Sequence, residues 1–178
     1  MRAFRARLES LGPVESFDYA YQREGRRSPD RHPALVAAHL AAYESAARRH
    51  GGPIVLVGKS MGGRIGCHLS VETDARPAAL VCLGYPLIGQ SGAVRDAVLR
   101  ELRTPVLFVQ GTRDPLCPLE RLAEVRRAMT APNELFVVEG GDHSLLVAKT
   151  ALRARGGSQD QVDADILSAI ASFVGHER

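Results

Sequence analysis

Gly58-Lys59-Ser60-Met61-Gly62 sets one serine midway between two glycines. The spacing is that of a nucleophile elbow, a sharp strand-to-helix turn that holds a hydroxyl out for attack on a carbonyl carbon. A serine so placed has strained backbone angles, and the glycines two before and two after it let the crossing backbones pass. A serine hydroxyl attacks only with a base to take its proton and a third group to orient that base. Asp114 and His143 are the candidates. Asp114 lies in the turn-forming cluster Gly111-Thr112-Arg113-Asp114-Pro115, and His143 in Glu139-Gly140-Gly141-Asp142-His143-Ser144. In these roles His143 takes and returns the proton of Ser60, and Asp114 holds the imidazole tautomer. The backbone N–H of Met61 is one donor to the developing oxyanion. Asp142 and Ser144 are read as turn formers.

Gly58-Lys59-Ser60 also resembles the end of a phosphate-binding loop. That loop requires a glycine where Pro53 stands, and Ile54 to Val57 reads as strand, which cannot wrap a phosphate. The phosphate reading is therefore set aside.

The elements that must position these groups alternate along the chain. Helical spacing of Phe4, Leu8 and Leu11 predicts a helix over 3–11, stopped by Gly12-Pro13, and Val14 to Tyr19 reads as a strand. Residues 21–33 are polar and read as a loop. A helix follows over 33–49, with Val36, Leu40, Tyr43 and Ala47 on one face, ended by Gly51-Gly52. The apolar run 54–57 is the elbow strand, and Met61, Ile65 and Leu69 mark the elbow helix, whose positive dipole end faces Ser60. Strands over 79–83, 105–110 and 134–138 alternate with helices over 93–102, 119–129 and 162–174, and 153–161 reads as a flexible loop. Short β-α periods predict a mostly parallel, doubly wound sheet of about five strands in one domain, 1–178. In such sheets chemistry gathers beyond the carboxyl ends of the strands, where Ser60, Asp114 and His143 all fall. The histidines at 32, 39, 50, 68 and 176 fall in loops, helices or the tail.

Composition narrows the classes. The net charge of +3 is mild, and no basic stripe alternates with aromatic residues, so a nucleic-acid partner is not expected. No apolar run approaches membrane-spanning length, and Met1 to Glu9 lacks the apolar core of a secretory signal. Cys67, Cys82 and Cys117 are odd in number and lack metal-ligand spacing, which suits reduced thiols and a cytoplasmic or nuclear location.

Serine, acid and histidine occur in the order expected of an α/β-hydrolase. Four stretches make the likeness more specific: Gly58-Lys-Ser-Met-Gly-Gly-Arg64, Cys82-Leu-Gly-Tyr-Pro86, Pro105-Val-Leu-Phe-Val-Gln-Gly-Thr-Arg-Asp114-Pro-Leu-Cys-Pro118 and Gly140-Gly-Asp-His-Ser144. From Val14 onward the chain resembles a family of small α/β-hydrolases. That family includes the testis-expressed hydrolase-like proteins, their plant relatives and the hydrolase-like domain of the third subunit of the NSL chromatin complex. The resemblance implies a fold and a site, with Ser60 as nucleophile, Asp114 as acid and His143 as base, and names no substrate. The residues themselves point to a serine hydrolase acting on a small-molecule ester, thioester or amide, with no metal or organic cofactor needed. The chromatin relative implies an alternative, a hydrolase-shaped scaffold that binds rather than catalyses.

Family members carry N-terminal strands that this chain lacks. One of them leads into the loop that supplies a second oxyanion N–H. Its absence predicts impaired catalysis. It also predicts that Val14–Tyr19 pairs directly with Ile54–Val57, or that the exposed sheet edge drives poor solubility or self-association.

Overall fold

The computed structural model describes residues 2–89 and 91–176. Their elements, in order, are α1 (Arg2–Leu8), α2 (Ala20–Arg23), α3 (His32–His50), β1 (Val55–Lys59), α4 (Met61–Glu72), β2 (Ala79–Leu83), α5 (Ala97–Glu101), β3 (Val106–Gly111), α6 (Leu119–Ala128), β4 (Asn133–Val138), α7 (Lys149–Ala154) and α8 (Gln159–His176). The four strands form one parallel sheet in the order β1-β2-β3-β4. Every residue of β2 and β3 is buried, as unbroken apolar runs in a two-sided sheet require.

Alternation along the strands sends side chains to two cores. Leu80, Cys82, Val106 and Phe108 join Cys67 of α4, Leu99 of α5 and Leu122 of α6 on one face. Ala79, Val81, Leu107 and Val109 join Leu8 of α1 and Ile166, Ile170 and Phe173 of α8 on the other. Helix α3 lies against α4, with Leu35 and Val36 packed on Ile65. The chain enters α3 through Pro33 and leaves it at Gly51, whose φ of 64° is the left-handed cap that glycine supplies.

The sheet has four strands among the described residues, not five. Val14–Tyr19 forms no ladder, and its expected pairing with β1 is not made. Side chains hold it instead. Glu15 pairs with Arg49 and His50 at the end of α3, and Ser16 Oγ accepts from Arg5. Val14 packs in the α8-side core and Tyr19 in the α3–α4 cluster, so the segment passes from one face of the sheet to the other. β1 pairs with β2 alone among the described residues, and its side chains are only half-buried. Helix α5 is shorter than expected, because Val94 bridges back to Ile88. Helix α7 replaces part of a predicted loop.

His39 is the one buried histidine of this core. Its Nδ1 and the Tyr19 hydroxyl share a hydrogen bond of 3.2 Å, and Phe17 packs edge-on against its ring. Burial lowers its pKa from 6.5 to about 4 and pushes the Tyr19 hydroxyl up, so both stay neutral. The unfolded chain binds a proton at His39 below pH 6.5 that the folded chain refuses until about pH 4. Stability is therefore full above that upper value and falls with acidification, by about 2 kcal/mol at pH 5. Urea unfolding at pH 7 and pH 5 checks this: the loss should be about 2 kcal/mol smaller in His39→Gln, and an equal loss in both proteins would place the acid sensitivity elsewhere.

Candidate active site

Each chemically competent group is set by the end of a strand. β1 ends at Lys59, and Ser60 follows with φ 51° and ψ −119°, a backbone conformation that side-chain-bearing residues rarely adopt. The Ser60 amide donates to the Leu83 carbonyl at 2.9 Å, tying the turn to the end of β2. Helix α4 starts at the next residue, so its unpaired amides and positive dipole end lie at the serine.

One glycine of the elbow behaves as expected, and another does not. A Cβ at Gly58 would lie 2.3 Å from the Gly63 nitrogen and 2.4 Å from the Gly62 carbonyl carbon, so strand and helix backbones meet there. A Cβ at Gly63 would lie 2.8 Å from the Gly58 carbonyl oxygen. At Gly62 nothing lies within 4 Å. The crossing thus constrains Gly58 and Gly63, and the steric role assigned to Gly62 belongs to its neighbour.

Asp114 follows β3 by three residues, in a turn whose Asp114 carbonyl accepts from the Cys117 amide. His143 sits in the loop after β4. That loop is pressed onto the ends of the neighbouring strands: a Cβ at Gly111 would meet the Gly141 carbonyl oxygen at 2.2 Å, and one at Gly84 would meet the His143 carbonyl oxygen at 2.6 Å. Asp142 folds the loop by accepting from the amides of Ser144 and Leu146 through Oδ1, and Leu145 takes a positive φ of 63°. Asp142 is a turn former, as its position suggested. Ser144 does more than turn the chain, since its Oγ accepts from Lys59 Nζ at 2.9 Å and links the serine loop to the histidine loop.

The structure brings the three residues together. His143 Nε2 lies 2.8 Å from Ser60 Oγ, and His143 Nδ1 lies 2.8 Å from Asp114 Oδ2. The Asp114 side chain is wholly buried, while that of His143 is 26% exposed, so the acid is shielded and the imidazole remains accessible. A buried carboxylate needs several donors. Asp114 has the Leu116 amide at 2.8 Å on Oδ1 and Gln110 Nε2 on Oδ2. Gln110 is held in turn by the Tyr85 amide, which donates to its Oε1 at 3.1 Å. Met61, the expected oxyanion donor, is the first residue of α4, where a backbone N–H has no acceptor within its own helix.

Gln110 escaped the reading of the sequence, although its signal was present: a polar residue near the end of the apolar strand Val106-Leu-Phe-Val-Gln-Gly111, four positions before the acid. The cysteines lie where expected, on α4, in β2 and in the loop after Asp114, as free, buried thiols. Burial, with the charge of Asp114, raises the Cys117 thiol to about 12, which makes it a packing residue and not a second nucleophile. A hollow of about 440 Å³ lined by Thr112, Arg113, Pro115 and Leu119 opens beside the acid turn, and neither Ser60 nor His143 lines it.

No helix among the described residues is long and apolar enough to cross a membrane. The fold recurs in solved structures. An alpha-beta serine hydrolase homologue from Coxiella burnetii superposes with a TM-score of 0.64 at 17% identity, covering 96% of this chain and 74% of its own. A protein of the alpha/beta hydrolase superfamily from Xanthomonas campestris pv. campestris gives 0.59 at 22%, covering 94% and 88%. A cold-adapted esterase from an Arctic intertidal metagenomic library gives 0.57 at 19%, covering 86% of this chain and 61% of the esterase. At these identities the likeness concerns the fold. Family membership rests on a sequence model described as an alpha/beta hydrolase domain, which matches residues 1–175. With four parallel strands, helices on both faces and a serine at the strand-to-helix turn, the chain belongs to the alpha/beta hydrolase domain family.

Proposed function

We propose that this protein is a serine hydrolase that cleaves a small ester, thioester or amide through Ser60, His143 and Asp114. The observation that carries the reading is the pair of 2.8 Å contacts joining the three side chains, with Ser60 at a positive φ. In this mechanism His143 Nε2 takes the Ser60 proton as Oγ attacks the substrate carbonyl carbon. The carbonyl oxygen becomes an oxyanion facing the Met61 amide at the start of α4. His143 then protonates the leaving group, and an acyl group remains on Ser60. Water, deprotonated by the same imidazole, attacks that ester, releases the acid and restores the hydroxyl. Asp114 keeps the ring proton on Nδ1 and stabilises the imidazolium formed at each transfer.

On motif grounds we group the chain with the testis-expressed hydrolase-like proteins and the NSL-subunit domain within its family. Its unpaired thiols suit work in the cytoplasm or nucleus. A fluorophosphonate probe tests the reading. The folded wild-type chain is expected to label and Ser60→Ala not to label. An unlabelled chain with a cooperative melting transition would favour the binding scaffold instead.

A further inference from the structure

Helix α3 begins at His32, and the second half of α4 carries His68 and Glu72, four residues apart on one helix face. The three side chains converge. His32 Nε2 lies 2.9 and 3.1 Å from the two oxygens of Glu72, and His68 Nδ1 lies 2.7 Å from Oε1. The imidazoles pack edge to face, with centroids 4.4 Å apart, and the three ligand atoms all lie within 4.8 Å of one another. We propose that His32, His68 and Glu72 bind a divalent cation of the zinc class, which pins the start of α3 to the second half of α4.

The chemistry of the donors selects the cation. Two imidazoles and one carboxylate are a borderline set that suits zinc and disfavours calcium or magnesium, which want oxygen. Zinc holds nitrogen and oxygen ligands at about 2.0–2.2 Å, so neighbouring ligands of a tetrahedral ion sit about 3.3 Å apart. The contacts of Glu72 with the two imidazoles, at 2.7–3.1 Å, need to open by about half an ångström or less to admit the ion, and the two imidazole nitrogens lie within 4.8 Å of each other. A fourth position faces solvent, since His32 and Glu72 are both more than a third exposed. Ser60 precedes His68 by eight residues, about 12 Å along the helix, so a water on this ion is out of reach of the serine and the clamp is structural.

One neighbour opposes the ion. Arg64 NH1 lies 3.3 Å from His68 Nε2 and donates to it, which leaves the ring proton on Nδ1. Metal at Nδ1 moves that proton to Nε2 and forces the guanidinium aside. Arg64 thus sets the affinity from outside the ligand set, through both its charge and its hydrogen bond.

The test is calorimetric titration of the chelator-stripped, folded chain with zinc sulfate, beside thermal melting. Wild type should take up one equivalent and melt higher with zinc. His32→Ala and Glu72→Gln change exposed side chains that the core does not need, and each should weaken binding at least tenfold and abolish the melting shift. Arg64→Gln removes the charge and offers Nε2–H an acceptor, and should tighten binding about tenfold. No binding by wild type at millimolar zinc, or unchanged affinity in His32→Ala and Glu72→Gln, overturns the site. Weaker binding by Arg64→Gln overturns ligation through His68 Nδ1. None of these readouts depends on Ser60.

Discussion

Asp114→Asn is expected to lower kcat toward any ester the wild-type chain hydrolyses by about 10⁴-fold while the protein still folds. The reason lies in the donors around position 114. His143 Nδ1, Gln110 Nε2 and the Leu116 amide all point at the carboxylate. An asparagine offers one oxygen and one NH₂, so the NH₂ must face at least one of these donors. Gln110 cannot turn its oxygen to the mismatch, because Oε1 already accepts from the Tyr85 amide. If the asparagine oxygen stays on Leu116, its NH₂ faces His143 Nδ1. The ring proton then moves to Nε2, the atom that must receive the Ser60 proton. The base is lost without any change of shape. Stability should fall as well, by about 1–3 kcal/mol for the unmatched buried donor. Steady-state rates with melting curves check both effects. A variant that keeps more than a tenth of wild-type kcat would remove Asp114 from the mechanism.

The second large effect separates two glycines that look alike in the pentapeptide. Gly58→Ala puts a methyl group 2.3 Å from the Gly63 nitrogen, and every atom it meets is backbone. Strand and helix must part to admit it, which exceeds the ordinary overpacking cost of about 1–3 kcal/mol. With only about 5–15 kcal/mol of total stability to draw on, the variant is expected to fail to accumulate as soluble protein. Gly62→Ala meets nothing within 4 Å and sits in a helix, so it should be neutral or stabilising by up to about 1 kcal/mol. Expression level and urea midpoints distinguish them. Equal behaviour of the two variants would mean that the β1–α4 crossing is not what fixes the elbow.

These contrasts mark how far residue types alone carry the structure. Ser60, Asp114 and His143 were legible because each follows an apolar run and strand ends gather in a parallel sheet. The face of α4 was legible from its periodicity, since Ile65 and Leu69 are buried, whereas α3 buries Leu35, Val36 and His39, of which its spacing gave Val36 alone. Val14–Tyr19 was misread because its composition suits a strand, while a strand also needs a partner, and its side chains bind α1 and α3 instead. Helix α7 was missed because Lys149–Ala154 has one buried residue and thus little periodicity to show. The Gly62 role was misassigned because the motif does not say which glycine the helix touches. The cluster of His32 with His68 and Glu72 has no local signal at all, since 36 residues separate the two histidines and only the packing of α3 on α4 joins them.

The sheet order β1-β2-β3-β4 is also the order of synthesis. Each strand pairs with the one made immediately before it, so a ribosome-bound chain can add them in turn, each over a crossover that carries a helix. β1 and α4 emerge with the serine already at its turn. The imidazole cannot reach it until β4 has docked and the loop at 139–147 has closed over Gly84 and Gly111. A partly made chain therefore carries Ser60 with no imidazole beside it, and the contacts joining Ser60, His143 and Asp114 form only in the last stage of assembly.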